Sequence, residues 1–404
     1  MPYRIMSFDV LEAPKSITLA PHEDGIAVVY RRKSVPVGFV MKRIDEAGPI
    51  DVSGYIDQRI QERIVAAAAR EELTLRRADC SALSITVAIC TRDRPELVAR
   101  CLRSLVEKQS PPTPGFFEII LIDNAPATTL TRRMVDTEFP AVRYVFEPKP
   151  GLNFARNAAL RAARGDLVAF VDDDVVVDAG WLHALMEAWA DDPGAGLFTG
   201  QVLPLELETP AQILFEQRGG FRRGFARVHF GSSREGDPLY PCRAEILGTG
   251  ANMALRRSAA VAIGGFDEAL DMGGPLPGGG DLDMFYRMIR SGHGAVYEPG
   301  FLAFHQHRRD LRALRRQYRD SWGKAYMAFV VKSWCRDPAM RRKWTHTAVR
   351  WFCQQLVHVL KCLAGRGSRP IGMVLAEAYG GLLGLMGSYG KARRRAAEIS
   401  AANS

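Results

Sequence analysis

The chain has 404 residues, 47% of them hydrophobic and 25% charged, with a formal net charge of +9. That length fits one large domain or two to three smaller ones, and the composition excludes a disordered or fibrous chain. From His305 onward there are 20 Lys/Arg against 5 Asp/Glu, a net +15, so residues 1–304 carry −6. An acidic partner is therefore to be sought at the tail.

Residues 1–80 read as a small α+β accessory unit. Short β-type runs, Ile26–Tyr30 and Val35–Val40, are broken by Pro and Gly, and Ile56, Ile60 and Ile64 then recur at helical spacing. The start, Met1–Asp9, has no apolar core of signal-peptide length. Seven cysteines without a Cys-x-x-Cys pair suit reduced thiols, so a cytoplasmic protein is expected.

From Ser84 strand and helix alternate. Ile85–Cys90 is a buried strand, Pro95 opens a helix with Leu97, Val98, Cys101, Leu102 and Leu105 inward, and a Pro-rich loop follows at 111–114. Glu118–Ile122 is a second strand ending in Asp123-Asn124, and Arg143–Phe146 a third. Ala155–Arg164 reads as a helix stopped by Gly165, ahead of the strand Leu167–Val171. The succession predicts an α/β fold, a wound and mostly parallel sheet. Gln217–Glu245 lacks periodicity and is expected to be a mobile loop, and a helix is expected to start at Asp281 and end near Gly292.

Three carboxylates, Asp172-Asp-Asp174, stand at the carboxyl end of the fourth strand, where ligands of open α/β sheets sit. Adjacent like charges tolerate one another best around a divalent cation, and hard oxygen ligands suit Mg²⁺ or Mn²⁺ bridging to substrate phosphates. With these carboxylates in view, six pieces in order resemble the family 2 glycosyltransferases, inverting nucleotide-sugar enzymes of the GT-A fold. They are Ile89-Cys-Thr-Arg-Asp-Arg94, Leu121-Ile-Asp-Asn124, Gly151-Leu-Asn-Phe-Ala-Arg-Asn157, Val171-Asp-Asp-Asp174, Gly248-Thr-Gly-Ala-Asn252 and Gly280-Asp-Leu-Asp283. The resemblance covers roughly Ser84 to His307 and sets expected domains at 1–80, 81–308 and 309–404.

The resemblance implies a role for each matched position. Asp123 accepts from the N–H of a pyrimidine base, Thr91 and Asp93 frame the same nucleotide, and Arg156 contacts the donor. Asp172 touches ribose or metal, Asp174 binds the metal that holds the diphosphate, and His305 completes the metal shell or contacts the diphosphate. Asp281 is the general base, its alternative being a helix N-cap. The family usually has Glu-Asp-x-Asp here, and Gly280 in place of the glutamate puts the mode of acceptor contact in question. A nucleoside-diphosphate sugar is the implied donor, with UDP the family's commonest nucleotide and dTDP and GDP as alternatives. The implied acceptor is a glycan or lipid-linked hydroxyl in polysaccharide, glycolipid or cell-envelope synthesis.

Two other readings share the fold. A sugar nucleotidyltransferase needs a glycine-rich phosphate loop after its first strand, and Cys90–Arg94 has no glycine. A catalytically inactive sugar-binding or scaffold protein is favoured only by Gly280. In the tail, Trp344–Leu363 is amphipathic and Ile371–Tyr389 more apolar, and neither is a clean run of about 20 uncharged residues. Trp, Phe and Leu beside Arg and Lys suit helices lying on an anionic membrane surface at the cytoplasmic face, the alternative being a packed helical cap. No nucleic-acid reading module is present.

Overall fold

Two separate sheets organise the chain in the computed structural model, which describes residues 2–45, 48–73, 83–107, 116–367 and 369–403. The 80/81 boundary, Cys80 and the Pro-rich loop at 111–114 lie outside the described residues. The first sheet holds β1 (Tyr3–Asp9), β2 (Gly25–Arg32) and β3 (Val35–Arg43), with β1 parallel and β3 antiparallel to β2. Strand β1 carries no clear alternation in the sequence, because it is an edge strand whose burial alternates only weakly. The helix Gln58–Leu73 lays Ile60 and Ile64 on this sheet, as their spacing predicts.

The second sheet has nine strands: β4 (Ser84–Thr91), β5 (Phe116–Asn124), β6 (Arg143–Glu147), β7 (Leu167–Asp172), β8 (Val175–Val177), β9 (Leu197–Pro204), β10 (Val228–Phe230), β11 (Asn252–Arg256) and β12 (Ala295–His305). Their order is β10-β12-β9-β11-β7-β4-β5-β6, with β8 paired to β12. Strands β4 to β7 are mutually parallel, so their carboxyl ends share one edge. Beyond β7 the sheet is mixed, because β11 runs antiparallel between β7 and β9. Successive side chains of a strand face opposite ways, so Ile85, Val87 and Ile89 enter one core and Ala88 the other. The first core includes Val98 and Leu102, the second Ala155, Ala159, Phe285 and Ile289.

Two expectations need correction. The helix after Gly151 ends at Ala162, before Gly165. Gly165 instead permits close approach to β4: a Cβ there would lie 2.5 Å from the Thr86 nitrogen, and its own N–H donates to Thr86 Oγ1 at 2.9 Å. Segment 217–245 is ordered rather than a mobile loop. It contributes β10 to the sheet, Tyr240 Oη donates to the Gly231 carbonyl at 2.6 Å, and Arg223 binds the carbonyls of Glu245, Phe221 and Arg222. These partners are scattered in sequence, and periodicity cannot reveal them.

The tail is helical, as expected: Leu311–Gln317, a π-helical stretch Tyr318–Ala325, then Tyr326–Arg336, Arg341–Leu363, Ile371–Leu383 and Tyr389–Ala402. It is fastened to the helix Gly280–Arg290 by Trp344, fully buried against Tyr286 and Phe329, and by Lys332, which pairs with Asp283 and Asp267. Among the described residues one helical run, Ile371–Ala402, is long and apolar enough to cross a membrane. It bends at Met386–Gly387, and one side, with Met373, Val374, Ala376 and Glu377, is buried.

Candidate active site

The carboxyl edge of β4 to β7 builds the site. Thr91 stands in register with Asp123, and Cys90 with Asp172, so three strand ends bring their polar residues together. Because β11 begins at this same edge, its leading turn Gly248–Ala251 lies beside Asp172. A cleft of about 540 Å³ opens there, and Arg156, Asp172, Asp271, Asp281 and His305 are among the residues that line it.

Asp172, Asp174 and His305 place one ligand atom each within 4.8 Å of one another. Pairing of β8 with β12 causes this: His305 is opposite Val175, and the Gln306 N–H donates to the Asp174 carbonyl at 2.9 Å. His305 Nε2 lies 3.2 Å from Asp174 Oδ1. Burial opposes ionisation of Asp174, but the imidazole, with Arg308 and Arg94, outweighs it and holds this carboxyl well below the usual range. Asp172 moves the other way, pushed up to about 6 by burial and by Asp174 against the pull of Arg156. Burial disfavours the His305 cation, and Asp174 more than compensates, so its pKa is raised. Two carboxylate oxygens and an imidazole nitrogen converging in this way fit a Mn²⁺- or Mg²⁺-type cation.

Arg156 projects from the helix Leu152–Ala162. Its Nη1 donates to Asp271 Oδ2 at 3.1 Å and to Asn153 Oδ1 at 3.2 Å, and its Nη2 is 3.9 Å from Asp172. The two asparagines of the same motif clamp the loop before Asp271: Asn157 exchanges hydrogen bonds with Phe266, and Asn153 donates to the Asp267 carbonyl. Asp271 escaped the sequence reading. It lies in no motif, and its positive φ of 53° and contact with Arg156 arise from loop folding. Burial, opposed by Arg156, pushes its carboxyl up to about 6.

Asp281 is not the N-cap. Gly279, in the left-handed region at φ 89°, caps the helix Gly280–Arg290, and Asp281 lies in its first turn. Its Oδ2 accepts from the Gly250 N–H at 2.8 Å and its Oδ1 from Leu282 at 2.9 Å. A Cβ at Gly250 would meet Asp281 Cβ at 2.9 Å and Arg156 Nη2 at 3.0 Å, which requires glycine in that turn. Gly280 has an equally local cause: a Cβ there would overlap Asn153 and the Asp271 carboxylate, which accepts the Gly280 N–H at 2.9 Å. The absent glutamate therefore leaves room for another carboxylate.

The remaining predicted residues stand at the same sheet edge but do not line the cleft. Asp123 is fully buried, with Oδ2 accepting from Tyr144 Oη at 2.8 Å and Oδ1 without a partner. Burial raises its pKa, and the tyrosine hydroxyl opposes the shift. Thr91 donates to Asp173 Oδ2 at 2.7 Å, and Asp93 accepts from the backbone N–H groups of Ala127 and Thr128. Both side chains are engaged with protein, and Asp93 holds the loop that follows Asp123.

The sequence model of glycosyl transferase family 2 matches residues 86–226. Over that stretch the chain resembles the glycosyl transferase family 2. The pre-mycofactocin glycosyltransferase of Mycobacterium tuberculosis is 33% identical over 159 residues, covering 39% of this chain and 30% of that protein. The succinoglycan biosynthesis protein ExoM of Rhizobium meliloti is 32% identical over 221 residues, covering 54% of this chain and 65% of ExoM. The chain thus spans less than two thirds of either relative. A Pyrobaculum calidifontis mannosyltransferase solved with GDP-Man and Mn²⁺ superposes with a TM-score of 0.43 at 19% identity, over 84% of this chain and 81% of that one. The family match ends at Ala226, so Asp281 and His305 lie outside the matched residues.

A second set of residues lining the cleft has another character. Arg218, Arg223, Arg243, Arg308 and Arg350 line it with Trp322 and Trp351. Arg218 stacks on Trp322 at 3.9 Å and pairs with buried Glu377 at 3.0 Å. This set comes from segment 217–245 and the tail helices, neither of which the motifs reach.

Proposed function

We propose that the protein is an inverting glycosyltransferase that moves a sugar from a nucleoside-diphosphate sugar to an acceptor hydroxyl in glycan synthesis. One observation supports it above the rest: the three-ligand cluster Asp172, Asp174 and His305 adjoins the cleft that Asp172 and His305 line together with Arg156 and Asp281. A divalent cation held by that cluster would supply positive charge for the departing diphosphate. Arg156, fixed by Asp271 and Asn153, adds a preorganised cation on the same side. The unpartnered Asp123 Oδ1 suits a base N–H, as in a uracil-type nucleotide. Asp281 takes the proton from the acceptor hydroxyl as that oxygen attacks the anomeric carbon from the face opposite the diphosphate. One displacement inverts the centre, and no covalent nucleophile on the chain is needed. The acceptor then lies against the arginines and tryptophans of the cleft.

The experiment is a thermal-shift panel of nucleotide sugars with and without Mn²⁺. A donor at about 100 times its dissociation constant should stabilise the fold by ~2.7 kcal/mol, and the shift should need the metal. A panel without any metal-dependent shift would sink the reading.

The second part of the proposal places the tail on an anionic membrane surface. Val349, Leu356, Val357, Leu360 and Leu363 of one helix and Leu375, Tyr379 and Leu382 of the next are all exposed, on helices that pack together beside the cleft. An exposed apolar area of this kind, bordered by lysine and arginine, suits a lipid interface. The full chain should sediment with acidic vesicles at low salt and be released near 1 M, where the Debye length falls to about 3 Å. Absence of binding at low salt would leave the helices as a cap alone.

A further inference from the structure

Behind the three-ligand cluster runs a buried chain of hydrogen bonds that the proposed reaction does not itself use. His305 Nδ1 lies 3.0 Å from His307 Nδ1, and His307 Nε2 lies 2.8 Å from Glu216 Oε1. Glu216 is 0% exposed and His307 3%. The two rings are held in place by aromatic neighbours: Phe215 lies 4.5 Å from the His307 ring and Phe221 5.2 Å from that of His305. A buried carboxylate is costly unless it is paired, and Glu216 has one cation near it, Arg222 Nη1 at 3.4 Å. That arginine also donates to the Glu216 carbonyl at 2.9 Å and lies over the Phe39 ring of β3 at 4.6 Å. The N-terminal sheet thus supports the far end of the chain.

We propose that Glu216 and His307 are positioning residues that fix the tautomer of His305 so that its Nε2 lone pair faces the cation position between Asp172 and Asp174. The inference rests on the cation reading above. An ionised carboxylate can only accept, so His307 carries its proton on Nε2. Its Nδ1 is then an acceptor, and His305 must donate from its own Nδ1. That leaves the lone pair of His305 Nε2 at 3.2 Å from Asp174 Oδ1. A lone pair and a carboxylate oxygen facing each other need a positive centre between them, whether a proton or a divalent cation. Metal-binding histidines are commonly oriented through their other ring nitrogen by a carboxylate or carbonyl. Here the carboxylate acts one imidazole further away, which joins the cluster to the helix Pro210–Gln217 and through Arg222 to β3.

Two measurements on the full chain decide it. Mn²⁺ alone is titrated by the electron-spin-resonance signal of the free ion, for the native protein and for Glu216→Gln. The amide keeps the shape but can donate to His307 and reverse the relay, so Mn²⁺ affinity should fall about 10- to 100-fold with the melting temperature little changed. In parallel, long-range ¹H–¹⁵N spectra of the native chain saturated with diamagnetic Mg²⁺ should show His305 protonated on Nδ1 and His307 on Nε2. Unchanged Mn²⁺ affinity in a folded Glu216→Gln chain, or His305 protonated on Nε2, overturns the relay. A native chain that takes up no divalent cation refutes the cation reading, and the relay, which rests on it, falls with it.

Discussion

Two parts of the cleft are built by different means. The acidic part, with Asp172 and Asp281 in the lining and Asp174 beside Asp172, comes from strand ends and a helix start, places where a short motif carries its own geometry. The arginine-lined part comes from residues 218–243, Arg308 and Arg350, brought together by segment 217–245 and the tail. The first part suits donor chemistry and the second acceptor binding. In the proposed reading the donor is held by the sheet and the acceptor by the parts packed around it.

The sharpest way to break this comparison is Asp281→Asn. Gly279 already caps the helix, and an asparagine oxygen can still accept from Gly250, so stability should change little. Transfer should nevertheless fall by on the order of 10²-fold or more, with donor affinity kept, because an amide cannot take the acceptor's proton. Transfer rate and donor affinity measured side by side decide it, and full activity would remove Asp281 from the role of base.

Asp174→Ala acts on the same acidic part with a smaller expected effect. Nucleoside diphosphate should bind the native protein more tightly with Mn²⁺ than with chelator, and the variant should lose that difference, on the order of tenfold or more. Calorimetric titration of both proteins, with and without metal, is the check. A metal effect that survives the substitution would take Asp174 out of the cluster.

Arg350→Ala tests the arginine-lined part of the cleft. Charge-assisted hydrogen bonds contribute roughly 1.5–3 kcal/mol, so the acceptor KM should rise about tenfold or more while donor affinity stays unchanged. A matching loss of donor affinity would mean that the two parts are not divided in this way.

The smallest effect concerns the joint between the sheet and the tail. Burial opposes ionisation of Asp267, but Lys332 at 3.1 Å, the Ala269 N–H and Tyr389 outweigh it and depress its pKa. Its contribution is therefore present above the unfolded aspartate value of about 3.9 and is lost as pH falls through the lower folded value. Asp267→Asn should lower the melting temperature at neutral pH, and the gap from the native protein should narrow below about pH 4. A gap independent of pH would separate Asp267 from that joint.

What the sequence determined by itself is whatever local pattern can encode. Buried apolar runs marked β4, β5 and β7, helical spacing marked Pro95–Val106 and Gly280–Arg290, and adjacent carboxylates marked Asp172 and Asp174. Each depends on neighbours in the chain. His305 was legible as a candidate, but only the pairing of β8 with β12 brings it to Asp174. Asp271, Glu216, His307 and the arginines of the cleft carry no local signal, because each owes its role to residues tens to more than a hundred positions away. Gly280 shows the difference in a single residue. In the sequence it is a departure from the family pattern. In the structure it is glycine because Asn153 and Asp271 already fill the space a side chain would need, a steric fact that only tertiary packing can create.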